Sequence, residues 1–155
     1  MKNLIIALTL IVSLDAFAFN GKPYNQNYDP QRDPFSDFKL ALQDASPDNK
    51  LILIVLGGDW CSWCHRLGSF IKKNESIKKN LEDTFVVMKL NVSEENSNQK
   101  FLSYLPEPKG YPYFVIIDSE GKVVGDQNTG GLEQGGSYSS TEFAGFISKW
   151  SKANK

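Results

Sequence analysis

The stretch GGDWCSWCHRL, Gly57 to Leu67, gathers both cysteines and the only histidine of a 155-residue chain. Two cysteines separated by two residues close too small a loop to act as a useful structural staple, because little chain entropy is removed. Reactivity or metal binding is the better reason for such a pair. Three chemistries share the spacing. W-C-x-x-C suits thiol–disulfide exchange. C-x-x-C-H can tether a c-type haem through both cysteines, with His65 as axial ligand. Cys61, Cys64 and His65 could also supply three ligands to zinc.

The surrounding residues discriminate among these. The run LILIVL, Leu51 to Leu56, reads as a strand buried on both faces, and a helical pattern starts near Cys61. A cysteine at a helix start meets unpaired N–H groups and the positive end of the helix dipole, which favour the thiolate. Cys64 lies about one turn on, on the same side. The expected mechanism has Cys61 attack a substrate disulfide and Cys64 resolve the mixed disulfide. Trp60 would shield the site and offer an apolar surface to a peptide, and Trp63 between the cysteines reads as exposed. Haem needs an apolar pocket and a second axial ligand, yet Met88, the one methionine besides Met1, sits in an apolar strand pattern. Zinc would need a carboxylate as fourth ligand, because the chain has no other Cys or His.

These residues need elements to hold them. The composition, 41% hydrophobic and 23% charged with a net charge of −1, fits one soluble domain. No basic stripe suggests nucleic acid, and KKNESIKKN (72–80) reads as a solvated helix face. Residues 1–18 have the pattern of a secretory signal: Lys2, an apolar run Leu4–Leu14, and Ala16-Phe17-Ala18 before a cleavage point. The run is short of the ~20 residues that span a bilayer, so no stable membrane span is expected in the mature chain. Export would allow the thiols to remain oxidised.

Residues 19–34 read as an extended arm on the surface of a domain covering 35–155. Asp33 and Pro34 signal a helix start. Further helices are expected at the motif, around Ser76–Leu81, over Asn98–Leu105, and from Ser140 to about Ser151. Strands are expected at Phe85–Val92 and Tyr113–Asp118, the latter turning through SEGK into VVG as a hairpin. The Gly/Ser-rich stretch 126–140 reads as a flexible connection. The expected fold is α/β: a small mixed sheet with helices on both faces.

With strand, DWCSWC and helix in sequence, the chain resembles the thioredoxin superfamily from about Phe35 onward. KLNV (89–92) is similar to the strand that carries a lysine near that family's active site. GYP before YFVIID is similar to its cis-proline loop, which implies that Pro112 is cis and that the Tyr111 backbone can pair with a substrate strand. The arm resembles that of exported bacterial thioredoxin-like proteins, which implies a periplasmic location, protein substrates with cysteines or disulfides, a redox partner protein and no cofactor. The chain departs from the family at Val55, where thioredoxins carry a buried aspartate, and at the Ser62-Trp63 dipeptide. Asp59 is a candidate water-mediated proton relay, and His65 a candidate tuner of the Cys61 thiol. The alternative reading is a thioredoxin-like module that binds a peptide or carries Cu(I) on its thiolates without efficient turnover.

Overall fold

The structure is a computed structural model and describes residues 22–153; the leader-like segment and the first residues of the arm lie outside the described residues. Helix α1, Pro34–Ala45, begins where Asp33 accepts the Ser36 N–H and Pro34 takes the first position. It buries Asp37, Ala41 and Ala45. Strand β1, Leu51–Gly57, is buried along its whole length. It leads through the motif into α2, Ser62–Lys73, and α3, Glu75–Thr84. Strand β2, Phe85–Asn91, returns parallel to β1, with Leu51 opposite Phe85 and Gly57 opposite Asn91.

The chain then forms α4, Gln99–Leu102, followed by β3, Tyr113–Ile117, and β4, Val123–Asn128. Strand β3 pairs antiparallel with β1, and β4 antiparallel with β3, giving a mixed sheet in the order β2-β1-β3-β4. A two-stranded ribbon, β5 (Glu133–Gln134) and β6 (Ser137–Tyr138), precedes the last helix α5, Ser140–Ala153.

Alternation along β1 splits the core in two, as the strand period requires. Leu51, Leu53 and Val55 face a cluster built from α2, α3 and α5, with Phe70, Leu81, Phe143 and Phe146. Ile52, Ile54 and Leu56 face the other side, with Ala41 and Ala45 of α1 and Phe101 of α4. The α/β class and its two helical layers follow from this arrangement.

Two details differ from the sequence reading. The helix expected over Asn98–Leu105 regular-turns only through Leu102; the next amides bond three residues back, Tyr104 N to Phe101 O and Leu105 N to Leu102 O. Pro106 disfavours helical backbone at Leu105 and ends the run early. The stretch 126–140 is ordered rather than a flexible connection. Its first residues extend β4, a 3₁₀ turn covers Thr129–Leu132, and the β5–β6 ribbon follows.

The described part of the arm is tied into the domain. Tyr24, Asn25 and Tyr28 are buried. The Lys89 N–H donates to Asn25 O at 2.8 Å, and Gln26 Nε2 donates to Val87 O at 2.8 Å, so the arm covers the free edge of β2. Tyr24 OH bonds Asp44 of α1 at 2.7 Å. Arg32 forks onto the buried Asp37 and also donates to Pro23 O at 2.6 Å.

Candidate active site

The C-terminal end of β1 delivers the chain to Gly57 and Gly58, and both positions require glycine. A Cβ on Gly57 would lie 2.5 Å from Cys64 Sγ, and one on Gly58 would lie 2.7 Å from Trp60 Cδ1. Cys61 then serves as the N-cap of α2 in extended conformation, φ −88° and ψ 104°. It forms a disulfide with Cys64, with the two Cα atoms 5.2 Å apart. Cys61 Sγ accepts the Cys64 N–H at 3.1 Å, and Cys61 O accepts the amides of Cys64 and His65 at 3.1 and 3.3 Å. The sulfur thus occupies the place of an N-cap oxygen, where helix N–H groups favour negative charge. Both cysteines are buried, at 4% and 5% exposure.

The flanking tryptophans diverge. Trp60 is 59% exposed; its indole N–H donates to Val92 O at 2.7 Å and its ring meets Tyr111 edge to face at 5.5 Å. Trp63 is half-buried rather than exposed. Its ring packs edge to face on Tyr138 of β6 at 5.6 Å, and the Arg66 guanidinium lies 4.7 Å from the ring centre. Since β6 was not foreseen, the platform for Trp63 could not be either.

Tyr111 is half-buried and Pro112 buried, and the peptide bond between them is cis. Thr129 Oγ1 donates to Pro112 O at 2.6 Å, which fastens this loop to the turn after β4. The contact of Tyr111 with Trp60 joins the loop to the cysteine motif.

Lys89 lies opposite Val55 in the β1–β2 register. Its ammonium sits 4.8 Å from the centre of the Tyr28 ring. Burial lowers the Lys89 pKa, and the negative charge of Asp59 opposes that change. Asp59 and His65 are both exposed, and His65 Nε2 lies 2.7 Å from the Asp59 carbonyl oxygen. His65 is therefore engaged by the loop before Trp60, outside the disulfide ring. Among the described residues no group of three or more His, Cys, Asp and Glu is arranged to hold a metal.

Sequence reasoning missed Tyr28, Thr129 and Tyr138. Tyr28 belongs to an aperiodic segment, and the other two lie in the Gly/Ser-rich stretch 126–140. The Gly57-Gly58 doublet was the one available sign that side chains crowd this turn.

The geometry is that of a redox-active dithiol–disulfide pair at a helix N-terminus, with an aromatic surround. Comparison with known proteins agrees. The solved structure of a disulphide isomerase from Xylella fastidiosa Temecula1 superposes with a TM-score of 0.68 at 27% identity, over 81% of this chain and 96% of that one. The C-terminal domain of DsbD from Neisseria meningitidis, in its reduced form, shares the fold at a TM-score of 0.55 and 16% identity, over 78% of this chain and 96% of that one. The thiol:disulfide interchange protein DsbD of Photorhabdus laumondii is 25% identical over 84 residues, 54% of this chain. The chain spans only 14% of that relative and 10% of an uncharacterised Caenorhabditis elegans protein, B0495.5, to which it is 32% identical over 79 residues. Residues 33–119 match the family described as Thioredoxin-like, and the chain belongs to that family.

Proposed function

We propose that this protein is an exported thiol–disulfide oxidoreductase that exchanges disulfides with protein substrates, with Cys61 attacking and Cys64 resolving. One observation carries the reading: the Cys61 sulfur is the N-cap acceptor of α2 and is already bonded to Cys64. In the reduced protein the same N–H groups stabilise a Cys61 thiolate, the species that attacks. That thiolate displaces one substrate sulfur and leaves a mixed disulfide. Cys64 then bonds Cys61, and the second substrate sulfur departs.

Trp60 and Tyr111 offer an apolar edge beside the pair, and the Tyr111 backbone next to Pro112 is suited to pairing with an extended substrate segment. The leader-like residues 1–18 support a periplasmic site of action. No helix among the described residues is long and apolar enough to cross a membrane.

Trapping tests the assignment. Cys64→Ser protein should accumulate mixed disulfides at Cys61 that mass spectrometry identifies, and Cys61→Ser protein should accumulate none. Cys61→Ser protein that still reduces or oxidises a protein disulfide at the parental rate would overturn the assignment.

A further inference from the structure

Tyr28 has a backbone that a tyrosine seldom adopts. Its φ is +57°, in the left-handed region that favours glycine and asparagine. Asn25 holds it there: Asn25 Oδ1 accepts the amides of Asn27 and Asp29 at 3.1 and 3.2 Å, and its amide group donates to Asp29 O at 3.0 Å. An aromatic residue kept in such a turn, and only 4% exposed, points to a role for its side chain.

That side chain ends at the cysteine pair. A Cβ placed on Gly57 would lie 2.5 Å from Cys64 Sγ and 3.1 Å from the Tyr28 hydroxyl, so sulfur and phenol converge on one point. Tyr28, Val55, Cys64 and Lys89 also share the lining of a small void of about 50 Å³. With valine on β1, no carboxylate faces Cys64 from that strand. An open depression of about 370 Å³ also has Cys64 in its lining, and its other titratable lining residues are Tyr28, Asp59, His65, Lys72 and Lys89.

We propose that Tyr28 governs the ionisation of Cys64: in the reduced protein its hydroxyl donates to the Cys64 sulfur, while Lys89, stacked on the Tyr28 ring, adds positive charge. The role follows from the functional reading above and gives it a second half. When Cys61 is bonded to substrate, Cys64 must lose its proton before it attacks. The proton leaves to water in the depression. The Cys64 thiolate bonds Cys61 Sγ, the Cys61–substrate bond breaks, and the departing sulfur carries the electron pair and takes a proton from solvent. The protein pair is oxidised by two electrons and the substrate disulfide is reduced. Tyr28 is suited to donating because burial pushes its own pKa well up, with Tyr138 and Asp59 adding to the rise, so it stays neutral.

The test is independent of turnover. In a Cys61→Ser background Cys64 is the sole thiol, and its ionisation can be followed by thiolate absorbance. Adding Tyr28→Phe keeps the ring and removes the donor; the Cys64 midpoint should rise by about one pH unit. Lys89→Met, which keeps an apolar stem, should move the midpoint in the same direction and serves alone if Tyr28→Phe fails to fold. An unchanged midpoint in a folded Tyr28→Phe protein, or in Lys89→Met if only that folds, overturns the proposal. In that case Cys61-dependent exchange by the parent would leave the oxidoreductase reading standing. A midpoint raised in these variants, together with a parent that exchanges no disulfides, would overturn that reading instead.

Discussion

Thr129, buried at 2% exposure, donates its hydroxyl proton to the carbonyl oxygen of Pro112 at 2.6 Å. This bond links the proline loop to the turn that follows β4. Thr129→Val preserves shape and removes the donor, leaving a buried carbonyl without its partner. The variant should lose about 1–3 kcal/mol of stability, measured by urea unfolding. Its exchange rate with a protein disulfide should also fall, because Tyr111 and Pro112 lose their anchor.

Asp37 is buried at 2% exposure and Arg32 is its ion-pair partner. Arg32→Met would leave a buried carboxylate facing apolar atoms and would release Pro23 O as well. A loss of about 3 kcal/mol is expected, with the arm becoming the preferred site of proteolytic cleavage. Limited proteolysis with mass mapping checks the second effect, and denaturant midpoints the first.

Two glycines should respond in opposite directions to alanine. In α5, Gly145 has open space where a Cβ would project. Gly145→Ala should therefore stabilise by about 0.5–1 kcal/mol through helix propensity. In β4, a Cβ on Gly125 would lie 2.5 Å from Trp150 Cη2 and 2.8 Å from Trp150 Cζ2. Gly125→Ala should destabilise and alter tryptophan fluorescence as the ring is displaced.

Acid and alkali should act on different groups. The Asp44 pKa is lowered, first by the bond from Tyr24 and then by that from Lys22. Its contribution is present above the unfolded carboxylate value of about 3.9 and is lost as pH falls through its depressed folded value. The stability gap between parent and Asp44→Asn should thus be open at neutral pH and close in strong acid. At the other extreme, the Tyr113 pKa is pushed up to about 12, chiefly by its bond to Asp126, and that of Tyr138 to about 12, chiefly by burial. Raised values favour the protonated phenol in the folded state. That stabilisation is complete below the unfolded value of about 10 and disappears as pH rises through about 12. Tyrosinate absorbance should lag behind that of free tyrosine and then appear together with unfolding, a coincidence that parallel circular dichroism can check.

The legible parts of the molecule were those with strong local patterns. LILIVL announced a doubly buried strand because every residue is apolar, and Asp33-Pro34 announced a helix because the cap and the fixed φ act locally. The spacing of Cys61 and Cys64 pointed to their chemistry, and the helix start near Cys61 followed from the strand-to-helix change. Tyr24 and Tyr28 were illegible because their partners, Asp44, Cys64 and Lys89, are distant in sequence and the segment between Phe19 and Arg32 has no period. Residues 126–140 were misread because glycine and serine mark turns as readily as flexible links. What orders that stretch is tertiary: Thr129 on Pro112 and Tyr138 under Trp63. The side of the pair facing Tyr28 was therefore missing from the sequence reading, although the pair itself was not.

The arm lying along β2 imposes an order on synthesis and folding. Gln26 and Val87 are 61 residues apart in the chain, so the arm has no docking surface until β2 has emerged and paired with β1. Tyr28 can reach the cysteines only after that long loop closes. A nascent chain thus carries both thiols, at Cys61 and Cys64, before it carries their complete surroundings. Oxidant or metal reaching the pair in that interval meets cysteines that still lack the Tyr28 side of their surroundings, which only docking of the arm supplies.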